Sequence, residues 1–566
     1  MLVKIFEWTK SVILVISIIL FIQFVFGPSL LLSSIELDIE IIIALSFLNI
    51  LVSFVSSAKN REGRFASSPV IVFVWFLFLR IVGVFPIFIS HMGEKGKGFS
   101  IVLTVVTMLI LFFYLYATLR KVVKTFREVK IKPYAMIALS FAGLIFIGGI
   151  ILFLPISLAS NQKVISLLDA FFTSTSAVCV TGLTVVDTGS FFSRFGQTVI
   201  LVLIQLGGLG LMTFAAFFSV VTGEKMSIYG RVTLQTALSG GNLSTIGRFV
   251  KAIIFTTFFV EFIGAAFLFI RFSETKPLLE AIYFSVFHSV SAFCNAGFSL
   301  FSDNLCRFRG DILINVVVML LIIVGGIGFP VIVNILERLR KKEKRLSLNT
   351  RLVLITTLCL IFFGAIIFYL MEQDNLLKGI PTKEKILASL FSSVTPRTAG
   401  FNTVDFGIAK EATLLFICIL MFIGASPGGT GGGIKTTTFA VIVLNTINTM
   451  RDKLSVEIFN REIPFDVIRK SIIVFFLSIL WLAAGTILIA LTENILLSKV
   501  LFEEFSAFGT VGLSTGITAT LKPFSKIVLM MTMFIGRIGP MTLVFSLGME
   551  TSRMIVRRPE EKVLTG

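Results

Sequence analysis

Long apolar stretches, separated by short polar or basic loops, follow one another along most of the chain. Four of them, at about 11–31, 38–57, 69–90 and 100–118, precede residue 134. A helix needs about 20 apolar residues to cross the hydrocarbon of a bilayer, so these stretches predict membrane-spanning helices. The first is not a cleaved signal peptide, because further apolar stretches follow at once.

From residue 134 onward, one pattern occurs four times. A short amphipathic stretch rich in Phe and Ser leads to a small-residue tripeptide centred on glycine, and a long apolar stretch follows. The central glycines are separated by 115, 103 and 112 residues, and such regularity is typical of an internal repeat. These glycines are Gly182, Gly297, Gly400 and Gly512.

The register extends to both sides of the central glycines. Six residues before them stand Ser176, Ser291, Val394 and Ser506. Three residues before them stand Cys179, Cys294, Arg397 and Gly509. A second glycine-rich site follows each tripeptide, at Gly207, Gly325, Gly424 and Gly536. Each repeat is therefore expected to hold a helix, a re-entrant half-helix, a loop and a second helix weakened near its middle. Glycines that only permit close helix contact are the simpler alternative for any single site.

Non-helical backbone at mid-membrane depth is tolerated only where protein buries it or where it lines a water-filled path. Four re-entrant loops therefore predict an all-α integral membrane protein with four repeats around one pore. The predicted domains are an N-terminal extension of four transmembrane helices over 1–133, pore repeats over 134–232, 233–345 and 346–465, and a fourth repeat with a cytoplasmic tail over 466–566.

The tripeptide regions carry the predicted ion-binding chemistry. A monovalent cation that leaves water needs oxygen ligands, and rings of backbone carbonyls supply them without charged side chains. Glycine has no Cβ and adopts the backbone angles that turn successive carbonyls to one side. The half-helices, such as 167–178 and 501–508, would direct their partially negative ends at the same place. The predicted selectivity filter residues are Val180, Thr181, Gly182, Leu183, Asn295, Ala296, Gly297, Phe298, Thr398, Ala399, Gly400, Phe401, Thr510, Val511, Gly512 and Leu513.

Three carboxylates, Asp187, Asp303 and Asp405, follow their tripeptides by five, six and five residues. They either concentrate cations at the outer mouth or are ordinary solvated loop acids. His288 lies in the second half-helix, where a role in side-chain packing is favoured over catalysis.

The stretch GASPGGTGGGIKTTT, from Gly424, superficially resembles a phosphate-binding loop. Ile434 separates Gly433 from Lys435, and both flanks are apolar, so the nucleotide-binding pattern is not met. The backbone from Ser426 to Gly433 is instead expected to leave helical form, either as a gate or as a kink.

Arg537 lies within an apolar stretch, where a charge costs roughly 2.5 to 3.5 kcal/mol and usually marks a pathway or a pair. Carbonyls of the glycine stretch or a carboxylate would offset it. Lys435 either extends this positive zone or reaches toward the membrane surface.

Composition excludes several classes of protein. At 56% apolar and 14% charged residues the chain is an integral membrane protein. The net charge of +18 comes from basic residues in short loops, as the positive-inside rule describes, so no nucleic acid partner is expected. The basic loops at 59–64, 120–132, 338–351, 451–470 and 553–562 place both termini in the cytoplasm. Five unpaired cysteines and two histidines favour neither a metal site nor a disulfide framework.

The motifs VTGLT, NAGFS, TAGFN and TVGLS around the four glycines, with QLGGLG from Gln205, the glycine stretch from Gly424 and the final GRIGP, resemble the pore-forming subunit of the Trk/Ktr/HKT superfamily of potassium transporters. The resemblance covers about 134–550. It implies one chain that imitates a four-subunit potassium channel, in which glycine in all four filters goes with K⁺ rather than Na⁺. It also implies a homodimer in the cell membrane, in contact with lipid and with a cytosolic nucleotide-binding regulatory subunit of the KtrA/TrkA kind. No cofactor is expected on the chain itself. The gate residues that the resemblance implies are Gly424, Ser426, Gly428, Gly429, Gly431, Gly432, Gly433, Lys435 and Arg537.

Two other classes of function fit the sequence less well. A secondary transporter coupled to Na⁺ or H⁺ is the main alternative, with Na⁺ as the coupling or activating ion, although its repeats are usually twofold. An intramembrane enzyme would need paired carboxylates or histidines within the spans, and Glu261 is isolated. The four preceding spans have no assigned task, and a voltage sensor is not indicated, because only Arg80 lies in the third.

Overall fold

The computed structural model describes the residue ranges 133–159, 164–210, 246–340, 345–453 and 455–540. The four spans of the predicted N-terminal extension lie outside the described residues, and so does the basic tail at 553–562. Within the described ranges the fold is mostly helical, and its one sheet is a two-stranded hairpin. The helices fall into four consecutive groups, which we call segments 1 to 4.

Segments 1 and 2 each begin with a long helix, followed by a short half-helix and a second helix. In segment 1 the helices are α1 (Pro133–Phe153), α2 (Leu167–Val178), the short α3 (Thr188–Phe191) and α4 (Arg194–Leu209). In segment 2 they are α5 (Ile246–Phe272), α6 (Leu278–Phe293), α7 (Ile312–Gly326) and α8 (Phe329–Leu339). The last two are bent by 97° at their junction.

Segments 3 and 4 follow the same order. Segment 3 holds α9 (Leu348–Glu372), α10 (Thr382–Val394), α11 (Glu411–Phe422) and α12 (Thr436–Met450). A hairpin of β1 (Glu457–Ile458) and β2 (Arg461–Glu462) leads to segment 4, which holds α13 (Phe465–Thr492), α14 (Leu497–Gly509) and α15 (Pro523–Ile538). The half-helix of segment 4 is thus longer at both ends than the predicted 501–508.

Three described helices are long and apolar enough to cross a membrane, at Ala252–Phe272, Leu348–Glu372 and Phe465–Thr492. These are the first helices of segments 2, 3 and 4. The bent pair of α7 and α8 counts as a fourth span if both helices are taken together.

Each second helix stops at a glycine-rich site. Gly210 after α4, Gly328 after α7 and Gly539 after α15 have φ values of 76°, 93° and 90°, a left-handed conformation that glycine adopts without a steric penalty. Segment 3 is different, because α11 ends at Phe422 and helical backbone resumes only at Thr436. The predicted loss of helix from Ser426 to Gly433 is confirmed, and the interruption is wider than predicted.

Three of the glycines in the second helices serve close contact with a half-helix. A methyl group on Gly207, Gly325 or Gly536 would collide with the carbonyl oxygen of Val178, Phe293 or Phe508, the residue four positions before each central glycine. The simpler interpretation of these three sites is therefore correct. Gly424 lies instead against Gly432 and Gly433 of its own loop.

Ion pairs join neighbouring segments. Arg194 in segment 1 lies 3.8 Å from Glu280 in segment 2, and Arg309 in segment 2 lies 3.1 Å from Glu384 in segment 3. Lys526 in segment 4 contacts Asp169 in segment 1 at 2.7 Å, with both side chains largely buried. Since segment 4 returns to segment 1, the half-helices of the described chain are arranged in a closed order.

Candidate cation site

The four central glycines lie side by side. A methyl group on Gly182 would lie 3.0 Å from the Cα of Gly297, and one on Gly297 would lie 2.9 Å from the Cα of Gly400. Gly400 stands in the same relation to Gly512, at 3.1 Å, and Gly512 to Gly182, at 3.0 Å. Each such methyl group would also contact the carbonyl oxygen just before the neighbouring glycine. The glycines therefore form a closed ring, which we call the glycine ring, and no side chain fits there without moving backbone.

The backbone leading to the ring alternates in handedness. The residues two positions before the glycines have positive φ, as do the glycines themselves, at 70° to 91°, while the residues between them do not. Such alternation turns successive peptide groups toward one side of the chain. Positive φ is strained for a β-branched residue, which three of these four residues are, and strain of this kind clusters at functional sites. The four residues are Val180 at 58°, Asn295 at 61°, Thr398 at 70° and Thr510 at 49°.

A serine fastens the loops of segments 1 and 4 to their half-helices. Ser176 accepts hydrogen bonds on its carbonyl from the Thr181 amide, at 2.8 Å, and on its hydroxyl from the Gly182 amide, at 3.0 Å. Ser506 accepts equivalent bonds from Val511, at 2.8 Å, and from Gly512, at 3.0 Å. The glycine of the ring is thus tied to the last turn of its half-helix.

Segments 2 and 3 use a hydroxyl in a related way. The hydroxyl of Ser291 donates to the carbonyl of Phe298 at 2.8 Å, and that of Thr395 donates to the carbonyl of Phe401 at 2.5 Å. The predicted register is wrong by one residue in segment 3, where it selected Val394. Val394 has no polar atom in its side chain and is buried in the apolar core, so Thr395, five residues before the glycine, supplies the hydroxyl.

The sequence-predicted filter residues are all buried except Gly512, which is partly exposed. The loop acids next to them have local structural roles. Asp187 accepts from the Gly189 amide at 2.9 Å and Asp405 from the Gly407 amide at 2.8 Å, while Asp303 pairs with Arg307 at 2.6 Å. These contacts favour the ordinary loop-acid interpretation.

His288 supports the loop of segment 2 from behind. Its Nδ1 lies 2.8 Å from the Phe284 carbonyl and its Nε2 lies 3.0 Å from the Ser299 hydroxyl, and the ring is fully buried. The edge of the ring contacts Phe272. A role in side-chain packing, as predicted, is therefore combined with hydrogen bonds to the Ser299 hydroxyl and to the Leu300 amide, both after Gly297.

Residues 423–435 form one loop, which we call the glycine-rich loop. Its two ends are joined, because the Gly424 amide donates to the Ile434 carbonyl at 2.9 Å and the Ile434 amide donates to the Phe422 carbonyl at 3.3 Å. Close to these joined ends, the Ser426 hydroxyl bonds to that of Thr436, the first residue of α12, at 2.8 Å. The loop therefore begins and ends beside the carboxyl end of α11.

Backbone hydrogen bonds attach this loop to the second helices of segments 2 and 4. The Ser426 amide donates to the Gly326 carbonyl at 2.9 Å, and the Phe329 amide donates to the Gly428 carbonyl at 3.0 Å. On the opposite side, the Gly433 amide donates to the Gly536 carbonyl at 3.2 Å. The loop thus bridges two segments that are not neighbours in the closed order.

The same loop touches the residues that lead to the glycine ring. The Gly432 amide donates to the Thr510 hydroxyl at 2.9 Å, and a methyl group on Gly431 would collide with the Thr398 hydroxyl. Gly429 is confined by the carbonyls of Gly325 and Gly326. The glycine-rich loop therefore lies directly against one end of the ring.

Arg537 of α15 holds this arrangement together. Its guanidinium donates to the Thr430 carbonyl of the loop and to the Gly207 carbonyl at the end of α4, and it lies 3.4 Å from the Gly208 carbonyl. Backbone carbonyls thus accept its hydrogen bonds and offset its charge, which is one of the two alternatives that the sequence left open. Lys435 donates within the loop, to the Gly431 carbonyl at 2.8 Å.

Arg397 is a residue whose role the sequence did not predict. Its guanidinium is buried and donates to the Ile423 carbonyl at 2.9 Å, where the glycine-rich loop begins. The side-chain amide of Asn295 donates to the Arg397 carbonyl and to the Thr398 hydroxyl, both at 3.1 Å. The signal was present in the register, since the other segments have Cys or Gly at this position.

Comparisons with known proteins agree on one relationship. A family model described as TrkH, cation transport protein, matches residues 146–556. The Ktr system potassium uptake protein B of Bacillus subtilis is 41% identical over 78% of this chain and 99% of its own length. The potassium/sodium uptake protein NtpJ of Enterococcus hirae is 36% identical over 77% of this chain and 98% of its own length. The solved structure of the potassium transporter TrkH from Vibrio parahaemolyticus has a TM-score of 0.61 at 18% identity, and covers 86% of this chain and 99% of that chain, so the fold is shared.

Proposed function

The chain belongs to the TrkH family of cation transport proteins, and from this membership we propose that it mediates K⁺ uptake across the cell membrane. It is a transport protein and not an enzyme. Two relatives that match this chain over nearly their whole length are named as potassium or potassium/sodium uptake proteins. The glycine ring is the observation on this molecule that carries the proposal, because it brings four backbone segments around one point.

The proposed selectivity filter consists of the sixteen residues that flank and include the ring glycines, from Val180 to Leu183 and at the three equivalent sites. Four loops of alternating handedness offer carbonyl oxygens from four sides, which is how a dehydrated K⁺ is bound. The half-helices α2, α6, α10 and α14 end at the ring, and their partially negative carboxyl ends favour a cation.

The proposed gate is the glycine-rich loop together with Arg537. Three features support it: the loop lies against the ring, it bridges segments 2 and 4, and Arg537 fastens it to segment 1. A guanidinium beside the ion path also repels an approaching cation. Opening would therefore require the loop to give up its bonds to Gly326, Gly536 and Arg537.

Sodium has a second place in the proposal. The name of the Enterococcus hirae relative includes both potassium and sodium, so Na⁺ as a coupling or activating ion is the alternative to a purely K⁺-conducting pore. The four ring glycines favour K⁺ as the ion that is transported.

The proposed uptake is tested by expressing the chain in a cell without its own K⁺ uptake systems. We expect growth at low external K⁺ and uptake of Rb⁺ as a K⁺ tracer. A Gly400→Val variant is the control, because its side chain would collide with the Val511 carbonyl in the ring, and it should reach the membrane without restoring growth. A parent protein that inserts fully but supports neither growth nor Rb⁺ uptake would contradict the proposal.

We further propose a homodimer that works with a cytosolic nucleotide-binding subunit. The word system in the name of the Bacillus subtilis relative supports further subunits. The hairpin β1–β2 suits a docking position, since Val456 and Ile463 beside it pack against Val441 of α12, the helix that follows the glycine-rich loop. If the hairpin and α12 adopt two positions, a partner that binds one of them more tightly would shift the equilibrium of the gate.

Co-purification from native membranes tests the regulatory partner, followed by flux measurements with and without ATP, ADP or NADH. We expect a nucleotide response only when the partner is present. The docking position is tested by replacing the exposed residues Arg461 and Glu462 of the hairpin by alanine. We expect this variant to co-purify less of the partner than the parent does. A full nucleotide response by the purified chain alone would refute the need for a partner.

A further inference from the structure

In segments 1 to 3, the first helix carries a glycine that receives a serine of the half-helix. These serines stand eight, eight and seven residues before the ring glycines. The shorter distance in segment 3 agrees with the one-residue shift found at Thr395. The pairs are Gly148 with Ser174, Gly264 with Ser289, and Gly364 with Ser393.

Each of these serines donates a hydrogen bond to the first helix. The acceptor is always the carbonyl three residues before the glycine. Each serine hydroxyl is therefore an additional donor to a carbonyl of the first helix. The bonds run from Ser174 to Ile145 at 2.8 Å, from Ser289 to Glu261 at 2.6 Å, and from Ser393 to Ile361 at 2.7 Å.

Segment 4 replaces the serine by a carboxyl group. Glu504 stands eight residues before Gly512, is fully buried, and contacts Gly485 of α13 as the serines contact their glycines. The carbonyl equivalent to the serine acceptors belongs to Leu482, three residues before Gly485. A carboxylate cannot donate to it, whereas a carboxylic acid can.

The hydrogen bonds around Glu504 distinguish its two oxygens. The indole N–H of Trp481 donates to the Thr532 hydroxyl at 2.9 Å, and that hydroxyl lies 2.8 Å from Oε1 of Glu504. An indole nitrogen only donates, so Thr532 uses its own proton for Oε1. The other oxygen, Oε2, is buried without a hydrogen-bond donor among the described residues.

No described cation faces the carboxyl group. Its neighbours on α13 are Gly485 and, through Thr532, Trp481, and its neighbour on α15 is Thr532 itself. Helix α11 also packs against α14, and its one charged residue is Glu411, in its first turn. Among the charged residues of α15, Lys526 pairs with Asp169, and Arg537 donates to Thr430 and Gly207.

The preceding residue, Glu503, faces a different part of the structure. Its Oε1 accepts from Ser514 at 2.7 Å and from the Thr515 amide at 2.9 Å, and its Oε2 accepts from Thr518 at 2.7 Å. It therefore does not share a proton with Glu504. A fully buried carboxylate with one donor and no cation is costly, and binding a proton removes that cost.

We propose that Glu504 is a proton-binding site within segment 4. Its Oε2, which has no donor among the described residues, carries the proton, while Oε1 lies against Gly485 and accepts from Thr532, so that the protonated group takes the position that serine has in the other three segments. In this step a carboxylate and one H⁺ form a carboxylic acid, and no other reactant is required. The proposal goes beyond K⁺ uptake and does not depend on it.

Infrared spectroscopy of the purified full chain tests the protonation state. The difference between the parent and Glu504→Gln at neutral pH should contain the carbonyl stretch of a carboxylic acid, which shifts in D₂O. The control is Glu372→Gln. Glu372 is equally buried, but its oxygens accept from the Lys410 amide at 3.0 Å and the Asn375 side chain at 2.8 Å, and also from Thr413. Its difference spectrum should contain the carboxylate bands instead. Carboxylate bands alone in the Glu504 spectrum would overturn the proposal.

A second measurement uses the pH dependence of unfolding in detergent. A proton that is bound in the folded chain and released on unfolding makes stability fall as pH rises. Relative to the parent, Glu504→Gln and Glu504→Ser should therefore shift the number of protons released by about one. Glu504→Ser is the sharper variant, since it reproduces the residue found in the other three segments. An unchanged proton count in both variants would overturn the proposal.

Discussion

Replacing Arg537 by alanine should raise the resting K⁺ flux of the purified chain by about ten- to a hundredfold. In the proposed closed state the guanidinium donates to Thr430 and Gly207, and so joins the glycine-rich loop to two segments. A hydrogen bond made by a charged group is worth about 1.5–3 kcal/mol, and each 1.4 kcal/mol is about tenfold in an equilibrium. Loss of the charge also lowers the electrostatic barrier to a cation.

The measurement is Rb⁺ flux into liposomes that contain equal amounts of folded parent or variant. Two further variants separate the causes. Arg537→Lys keeps the charge but not the forked geometry of a guanidinium, so its flux should lie between the other two. Lys435→Met is the matched control, because among the described residues Lys435 bonds within the loop alone, to Gly431, and its flux should change less. If Arg537→Ala conducts no more than the parent, the gate assignment is wrong.

Replacing Gly182 by serine should reduce the preference for K⁺ over Na⁺ by about tenfold, since extra atoms in a filled site cost about 1–3 kcal/mol. The new Cβ would meet the Ala296 carbonyl oxygen and lie 3.0 Å from the Cα of Gly297. The neighbouring carbonyl must therefore move away from its proposed ligand position, and the ring loses its equal spacing.

The ratio of Rb⁺ to Na⁺ flux in liposomes measures this effect. Gly516→Ser is the matched control, because Gly516 has a φ of 89°, close to the 91° of Gly182, but no atom lies within 4 Å of its added Cβ. The two variants share the backbone strain and differ in crowding. An unchanged flux ratio in Gly182→Ser, or an equal change in both variants, would remove Gly182 from the proposed filter.

Much of the organisation of this chain followed from local patterns. The length of the apolar stretches predicted helices, and the end of α2 at Val178 agrees with the predicted half-helix 167–178. The loss of helix within the stretch from Gly424 was also predictable, since neither Pro427 nor a run of glycines supports a helix. These features depend on residues that are close in sequence, so the sequence carries them directly.

The register of segment 3 shows where local counting stops. Counting six residues back from Gly400 selects Val394, but the loop needs a hydroxyl beside the last turn of its half-helix, and Thr395 supplies it. A shift of one residue leaves the apolar pattern almost unchanged. It became visible only in the contact between Thr395 and the Phe401 carbonyl.

The sequence by itself determined the class of protein, the four positions of glycine and the interruption after α11. The tertiary structure decided which glycines meet, because the ring joins residues about a hundred positions apart, and the closing contact joins Gly512 to Gly182. It also decided that Arg537 rests on carbonyls of Thr430 and Gly207 and that Glu504 replaces a serine. Hydrophobicity and backbone preference act along the chain, whereas these contacts arise only once four segments close on one another.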